Sequence, residues 1–369
     1  MTEPLRILQI VTYMGRGGLE TMLMNYYRHI DRSKVQFDFL VHRDFEADYD
    51  QEIRELGGRI YHVSRLIPWS RKYRNELKQF FKDHPEYRIV HVHQDCLGSV
   101  ALQCAKECGI PVRIAHSHSS SALKDLKYPI KLWYMRKIPA YATHLLACGK
   151  QAGDWMFSGS PYEIIKNAID TEKYEYSPAK AKEVKKMLGI GTELTVGHVG
   201  NFTLAKNHTF LIDIFQALLQ KRPDAKLVLV GGDYEIEAAK EKVNRLGLND
   251  HVMFLGIRSD VRDLMQAMDV FVFPSLYEGL PVTMIEEQAA GIPAIISDHV
   301  SDECVVTKNL VTVMKLDDSA EQWADCILKR AEEGKRSHRN EIIAAGYDIA
   351  SEAEKLENFY LRQNELLRK

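Results

Sequence analysis

This 369-residue sequence has no apolar run near the ~18 residues that a membrane-spanning helix needs, which excludes an integral membrane protein of that kind. It also has no C-x-x-C pair. The six cysteines (Cys96, Cys104, Cys108, Cys148, Cys304 and Cys326) stand apart in apolar or helical surroundings, as reduced thiols of a cytosolic protein do. Nor is there an excess of one charge: 49 Lys+Arg stand against 51 Asp+Glu, a net of −2. Nucleic-acid binders usually carry a basic surplus, so that class is set aside. No internal repeat and no low-complexity tract is visible. Met1-Thr2-Glu3-Pro4 lacks the basic flank and small-residue cleavage site of a signal peptide, so the expected location is the cytoplasm. What remains is ordinary globular composition, 45% hydrophobic and 27% charged, at a length that suggests two domains. The charge is uneven, +5 over residues 1–170 and −7 over the rest, so the first half suits an anionic partner.

Short β-rich runs alternate with longer amphipathic stretches along the whole chain. Strands are predicted at 6–11, 37–41, 59–62, 89–93, 112–115 and 144–147, with helices such as 19–29, 73–83 and 98–108 between them. A second series has strands at 195–199, 226–230, 252–255, 270–273 and 294–296, with helices at 209–221, 235–246 and 261–268. Such alternation means parallel sheets covered by helices on both faces, here an α/β protein with two Rossmann-like domains. The join is expected near 164–176, and residues 351–369 read as a final helix with Leu356, Phe359, Tyr360 and Leu366 on its apolar side.

Two motifs carry chemistry. Tyr13-Met14-Gly15-Arg16-Gly17-Gly18-Leu19-Glu20 follows the first strand and opens the first helix. Its glycines let backbone amides approach a phosphate or sugar, although a plain tight turn explains the same letters. The second motif runs from Phe271 through Pro274 and Glu278-Gly279-Leu280-Pro281-Val282 to Glu286. Pro281 suits the first position of a helix, and Glu278 falls in the loop at a strand's carboxyl end, where open α/β sheets bind ligands. Two acceptor-only carboxylates there suit sugar hydroxyls, while the helix amides suit a diphosphate.

Glu278–Glu286, with the upstream Gly200-Asn201-Phe202-Thr203-Leu204-Ala205-Lys206-Asn207-His208 and the early Gly15–Glu20, resembles the retaining family-four glycosyltransferases of GT-B architecture, most of all those that build bacterial capsules and exopolysaccharides. Asn167-Ala168-Ile169-Asp170 matches the family's hinge, with Ala168 in place of the usual glycine. The resemblance implies an acceptor-binding domain at 1–170, a donor-binding domain at 171–350, and a helix at 351–369 returning to the first domain. It implies that Glu278 contacts the donor sugar, Glu286 the ribose, and Lys206 the diphosphate, a role that suits its point charge. The family's arginine five residues before that lysine is Asn201 here, which brings no charge; Arg16 is the candidate to compensate. Gly17, Gly18, Gly279, Leu280, Pro281 and Val282 complete the donor contacts, and Ile257 and Arg258 are the candidates beside the base.

The resemblance also implies a histidine beside the donor sugar. Arg113–Ser119 offers His116 and His118, which period-two alternation places on one face. His118, further into the loop, is preferred, with His116 and His93 as further acceptor or sugar contacts. Two H-x-H pairs, with Asp95 and Asp125, also raise a metal-hydrolase reading, but it leaves Glu278–Glu286 unexplained; no metal ligand and no cofactor is assigned. Asp48-Tyr49-Asp50 is read as a solvated acidic stretch. Basic and aromatic residues mix at 65–82 and 124–141, which suits an anionic membrane surface and a polyprenyl-diphosphate-linked acceptor; plain amphipathic helices are the alternative. The function implied is transfer, with retention, from a nucleotide diphosphate-sugar, UDP-linked by expectation, to a glycan or lipid-linked acceptor. A nucleotide-sugar epimerase of the same fold and a non-catalytic binding relative are the rivals, the latter kept alive by Asn201.

Overall fold

The computed structural model describes residues 3–120, 126–232, 235–278 and 280–368. Lys124, Asp125 and Gly279 of the motifs above lie outside the described residues. The chain divides into two compact units, one of residues 1–168 and 349–369, the other of residues 169–348.

The first unit is built on seven parallel strands: β1 (Leu5–Ile10), β2 (Val35–Val41), β3 (Ile60–His62), β4 (Ile89–Val92), β5 (Val112–Ser117), β6 (His144–Ala147) and β7 (Glu163–Ile164). Their order across the sheet is β3-β2-β1-β4-β5-β6-β7. The chain winds outward one way from β1, then returns to start β4 on the other side, so the order reverses between β1 and β4. Open parallel sheets hold ligands at the carboxyl ends beside such a reversal. Two polar residues, Gln36 and Asp38, interrupt the apolar run of β2, and both are buried. Asp38 accepts from Arg6 at 2.5 Å, from the Tyr87 hydroxyl at 2.7 Å and from the Arg59 amide at 2.7 Å, which balances the cost of burying it.

The last helix, Ile349–Leu366, belongs to this unit and packs on the helix Gly18–His29. It does so because Leu356, Phe359 and Tyr360 line its apolar side and are buried against β-sheet side chains; the Tyr360 ring meets Phe37 edge-on at 5.9 Å. Each such side chain contributes about 1.5–3 kcal/mol on burial.

The second unit repeats the plan with six parallel strands: β8 (Thr195–Val199), β9 (Lys226–Val230), β10 (Val252–Phe254), β11 (Val270–Phe273), β12 (Ala294–Ser297) and β13 (Val311–Met314), in the order β10-β9-β8-β11-β12-β13. Here the reversal falls between β8 and β11. Gly197 lies inside β8 because a Cβ there would sit 2.0 Å from the Met268 sulfur.

The strand pattern differs from the sequence expectation at the edges. β7 is only two residues long and β13 exposes Val313, so neither presents the buried apolar run by which strands are recognised. The acidic Asp48–Asp50 stretch is not uniformly solvated: Asp50 is buried and accepts from the Ala47 amide. None of the six cysteines forms a disulfide among the described residues. Among the described residues no helix is long and apolar enough to cross a membrane.

Candidate functional site

In the second unit the two loops at the sheet reversal are stitched together. The loop after β8 leads into a short turn, Leu204–Lys206, and ends on Asn207 in the left-handed region at φ 54°. That conformation costs a non-glycine residue energy, but it aims the Asn207 amide at the Pro274 carbonyl, 3.1 Å away beyond β11. The Leu276 amide donates back to the Ala205 carbonyl at 2.7 Å. These bonds bring Lys206 and Glu278 together although 72 residues separate them: the Lys206 ammonium donates to Glu278 Oε1 at 2.6 Å and lies 4.4 Å from the centre of the Phe273 ring. Both side chains are mostly covered, at 17% and 14% exposure, so the pair is weakly screened. Gly231, at φ 146°, closes the other side of the β8 loop, since a Cβ there would sit 2.0 Å from the Gly200 carbonyl oxygen.

The helix after the Glu278 loop spans Val282–Ala289, with Pro281 in extended conformation just before it rather than in its first turn. Its first-turn amides open toward the loop, as an anion site requires. Glu286 is 6% exposed and accepts from the Tyr174 hydroxyl at 2.5 Å. Burial holds its carboxyl above the usual range, and the tyrosine hydrogen bond opposes that shift. Leu280 and Val282 are buried, whereas Asn201 is exposed. Ile257 is exposed after β10 and meets Gly232 after β9; Arg258 is taken up by Asp260 at 2.6 Å.

In the first unit the reversal is lined by a row of histidines. β4 and β5 are neighbours, with His91 paired to Ile114 in register, so alternation puts His91, His93, His116 and His118 on one face. His118 stands just past β5 and is partly exposed, while His116 and His93 are buried. His93 contacts His118 Nε2 at 2.8 Å and, through its other nitrogen, the side-chain oxygen of Gln9 on β1 at 2.9 Å. An amide oxygen only accepts, so His93 Nε2 donates to Gln9 and its Nδ1 is the acceptor from His118. Burial lowers the affinity of all four rings for protons, His118 to about 3, and they stand neutral.

The glycine loop lies beside them. Gly17 precedes the helix Gly18–His29 and is crowded by the Glu20 carboxylate, and the Arg16 guanidinium sits 5.2 Å over the Tyr49 ring. Burial, aided by the charge of Asp95, raises Glu20 to about 7. Asp95 itself, after β4, has φ 43°. Thus two of the three non-glycine residues at positive φ among the described residues, Asp95 and Asn207, sit at the two sheet reversals.

Sequence reasoning assigned no role to Tyr174, Gln9, Asn207 or Glu20. Glu20 stood in a quoted motif, where an acid in a first helical turn reads as complementing the helix dipole. Asn207 also stood in a quoted stretch, and asparagine is a residue that tolerates the left-handed region. Tyr174 and Gln9 carry no local signal, because their partners are far away in sequence.

Two family models match. Glycosyltransferase Family 4 covers residues 16–173, and Glycosyl transferases group 1 covers residues 180–348. The putative glycosyltransferase EpsF of Bacillus subtilis (strain 168) is 37% identical over 96% of each chain. An Escherichia coli UDP-Gal:alpha-D-GlcNAc-diphosphoundecaprenol alpha-1,3-galactosyltransferase is 24% identical over 75% of this chain and 76% of its own. Among solved structures, Anabaena Alr3699/HepE in complex with UDP and glucose superposes with a TM-score of 0.81 at 18% identity, over 96% of this chain and 99% of that one; this likeness carries the GT-B fold.

Proposed function

The chain belongs to the group 1, family-four glycosyltransferases, retaining enzymes whose transfer does not run through a metal ion, and we propose that this member takes its sugar from a UDP-sugar and delivers it to a polyprenyl-diphosphate-linked glycan in cell-surface polysaccharide synthesis. The observation that carries this reading is the Lys206–Glu278 pair at the second unit's sheet reversal, with Glu286 one helix turn beyond the adjoining loop. Before donor arrives, the two side chains neutralise each other. A nucleotide diphosphate-sugar replaces that contact with two better-matched ones: the diphosphate takes the Lys206 ammonium and the sugar hydroxyls donate to Glu278. Lys206 and the amides of the helix Val282–Ala289 then stabilise the charge that develops on the departing diphosphate. Glu286, ionised, accepts from the ribose hydroxyls. The uncharged Asn201 leaves this task to Lys206 and the amides.

UDP is supported by the named ligands of HepE and by the named donor of the Escherichia coli relative, whose acceptor is diphosphoundecaprenol-linked. A lipid-linked acceptor is also supported by the first unit's surface. Trp69 and Trp133 are 67% and 55% exposed and, with Pro129, Ile130 and Tyr134, line a shallow apolar pocket. Lys137 sits over the Trp133 ring, and Lys127, Lys131 and Arg136 are close in sequence. Aromatics beside basic groups suit an isoprenoid tail and the anionic headgroup level of a bilayer.

Calorimetric titration with UDP, GDP and ADP on wild type and Glu286→Ala tests the donor assignment. Micromolar UDP binding that is lost in the variant is expected, with sugar transfer from a UDP-sugar panel. Preference for GDP or ADP would overturn the UDP assignment, and absence of all three bindings would favour a non-catalytic relative. Co-sedimentation with vesicles that is indifferent to anionic lipid and to salt would refute the membrane contact.

A further inference from the structure

The histidine row holds more imidazole than sugar recognition uses. His91 and His116 are buried inside the first unit, at 1% and 2% exposure. Neither ring nitrogen of His116, nor Nε2 of His91, has a hydrogen-bond partner among the described residues. A buried polar atom left unpaired is costly and calls for a ligand. The rings are close: His91 and His93 have centroids 4.2 Å apart, His91 and His116 stack at 5.1 Å, and His93 and His116 lie 5.3 Å apart. One nitrogen from each of His91, His93 and His116 lies within 4.8 Å of the other two.

We propose that His91, His93 and His116 form a binding site for a single divalent late transition metal ion, zinc by class, distinct from the transfer chemistry. Three arguments carry it. The donor set is all imidazole, without carboxylate, which selects zinc, nickel, cobalt or copper over magnesium or calcium. Strand pairing presets the site: β4 supplies two rings and β5 the third on a common face, so little order is lost on binding. The supporting hydrogen bonds that metal-bound histidines show are already present. The Tyr360 hydroxyl contacts His91 Nδ1 at 2.7 Å, and in the tautomer that donates from Nδ1 to Tyr360 the lone pair is on Nε2, the unpartnered atom. His93 is likewise held by Gln9 through Nε2, with its lone pair on Nδ1. His118, bonded to that Nδ1 and partly exposed, swings aside to admit the ion or becomes its fourth ligand. The ion would then tie β4 and β5 to Tyr360 of the last helix and control the position of His118.

The test uses the full chain, stripped with chelator and titrated with zinc chloride against a chromophoric competitor. One ion per chain is expected, with a rise in melting temperature and, for Co²⁺, absorption bands of a low-coordinate nitrogen site. His116→Ala and His91→Ala, checked for folding by circular dichroism, should lose the site, and Tyr360→Phe should weaken it ~10–100-fold, as loss of a supporting hydrogen bond does. X-ray absorption on the zinc-loaded wild type should show imidazole scattering from at least three rings; this measurement decides the matter even if the variants do not fold. Absence of stoichiometric binding, an oxygen-only or sulfur-containing shell, or wild-type affinity in folded His116→Ala would overturn the proposal.

Discussion

Tyr174→Phe isolates one hydrogen bond beneath the proposed ribose contact. The Tyr174 hydroxyl donates at 2.5 Å to Oε1 of Glu286, a residue that is 6% exposed. Water has little access to take the hydroxyl's place, so the full value of a hydrogen bond to a charged group, about 1.5–3 kcal/mol, is at stake. The sign with pH follows from linkage. Burial raises the folded-state affinity of Glu286 for its proton, so its charge costs stability as pH rises from the ordinary carboxylate range through the raised value. The tyrosine bond limits that rise; without it the costly window extends to higher pH. Urea unfolding should therefore show Tyr174→Phe weakened by about 1.5–3 kcal/mol where the carboxyl is ionised in both proteins, with the difference shrinking as pH falls and the carboxyl protonates in both. UDP binding should move with it. Ribose hydroxyls donate to the ionised form, so affinity falls as pH drops into the window, and in the variant that fall begins at higher pH. If about 1.4 kcal/mol of the bond is expressed in binding, calorimetry at pH 7 reads a tenfold weaker Kd. Equal UDP affinity and equal stability of the two proteins from pH 5 to 8 would refute the positioning role of Tyr174.

Three further outcomes are expected. Glu287 is fully buried, neither of its oxygens has a partner among the described residues, and burial pushes its carboxyl well above the usual range; Glu287→Gln should therefore gain stability over wild type as pH rises from the ordinary carboxylate range, by at most about 1.4 kcal/mol per pH unit and only until the carboxyl ionises in the folded state, read by urea unfolding, and parallel pH profiles would sink this account. Gly231→Ala drives a Cβ to within 2.0 Å of the Gly200 carbonyl oxygen at a φ of 146°, so calorimetry should show a destabilisation of about 1–3 kcal/mol together with weaker UDP binding, because the β8 loop must shift. Leu356→Ala removes a side chain only 3% exposed between the last helix and the first unit's core, for an expected loss of about 2–5 kcal/mol in chemical unfolding; a loss below 1 kcal/mol would mean the helix is loosely held.

The sequence by itself determined the kind of structure and the chemistry on offer. Periodicity marked eleven of the thirteen strands among the described residues, because buried parallel strands are apolar runs between amphipathic helices. It missed β7 and β13, whose residues are partly exposed and lack that run. Alternation placed His116 and His118 on one face, and the loop-to-helix pattern set Glu278 and Glu286 on opposite sides of Pro281. Only the tertiary structure decided which of these groups meet. That Lys206 faces Glu278 depends on β8 lying beside β11, and that Tyr174 reaches Glu286 depends on a contact across 112 residues. That His116 is enclosed while His118 is partly exposed depends on where β5 ends, and that His91 rests on Tyr360 depends on the last helix returning to the first sheet. The physical reason is common to all of them. Local propensity and periodicity act over a few residues, whereas strand order and the burial of a polar atom are settled by packing between segments far apart in the chain.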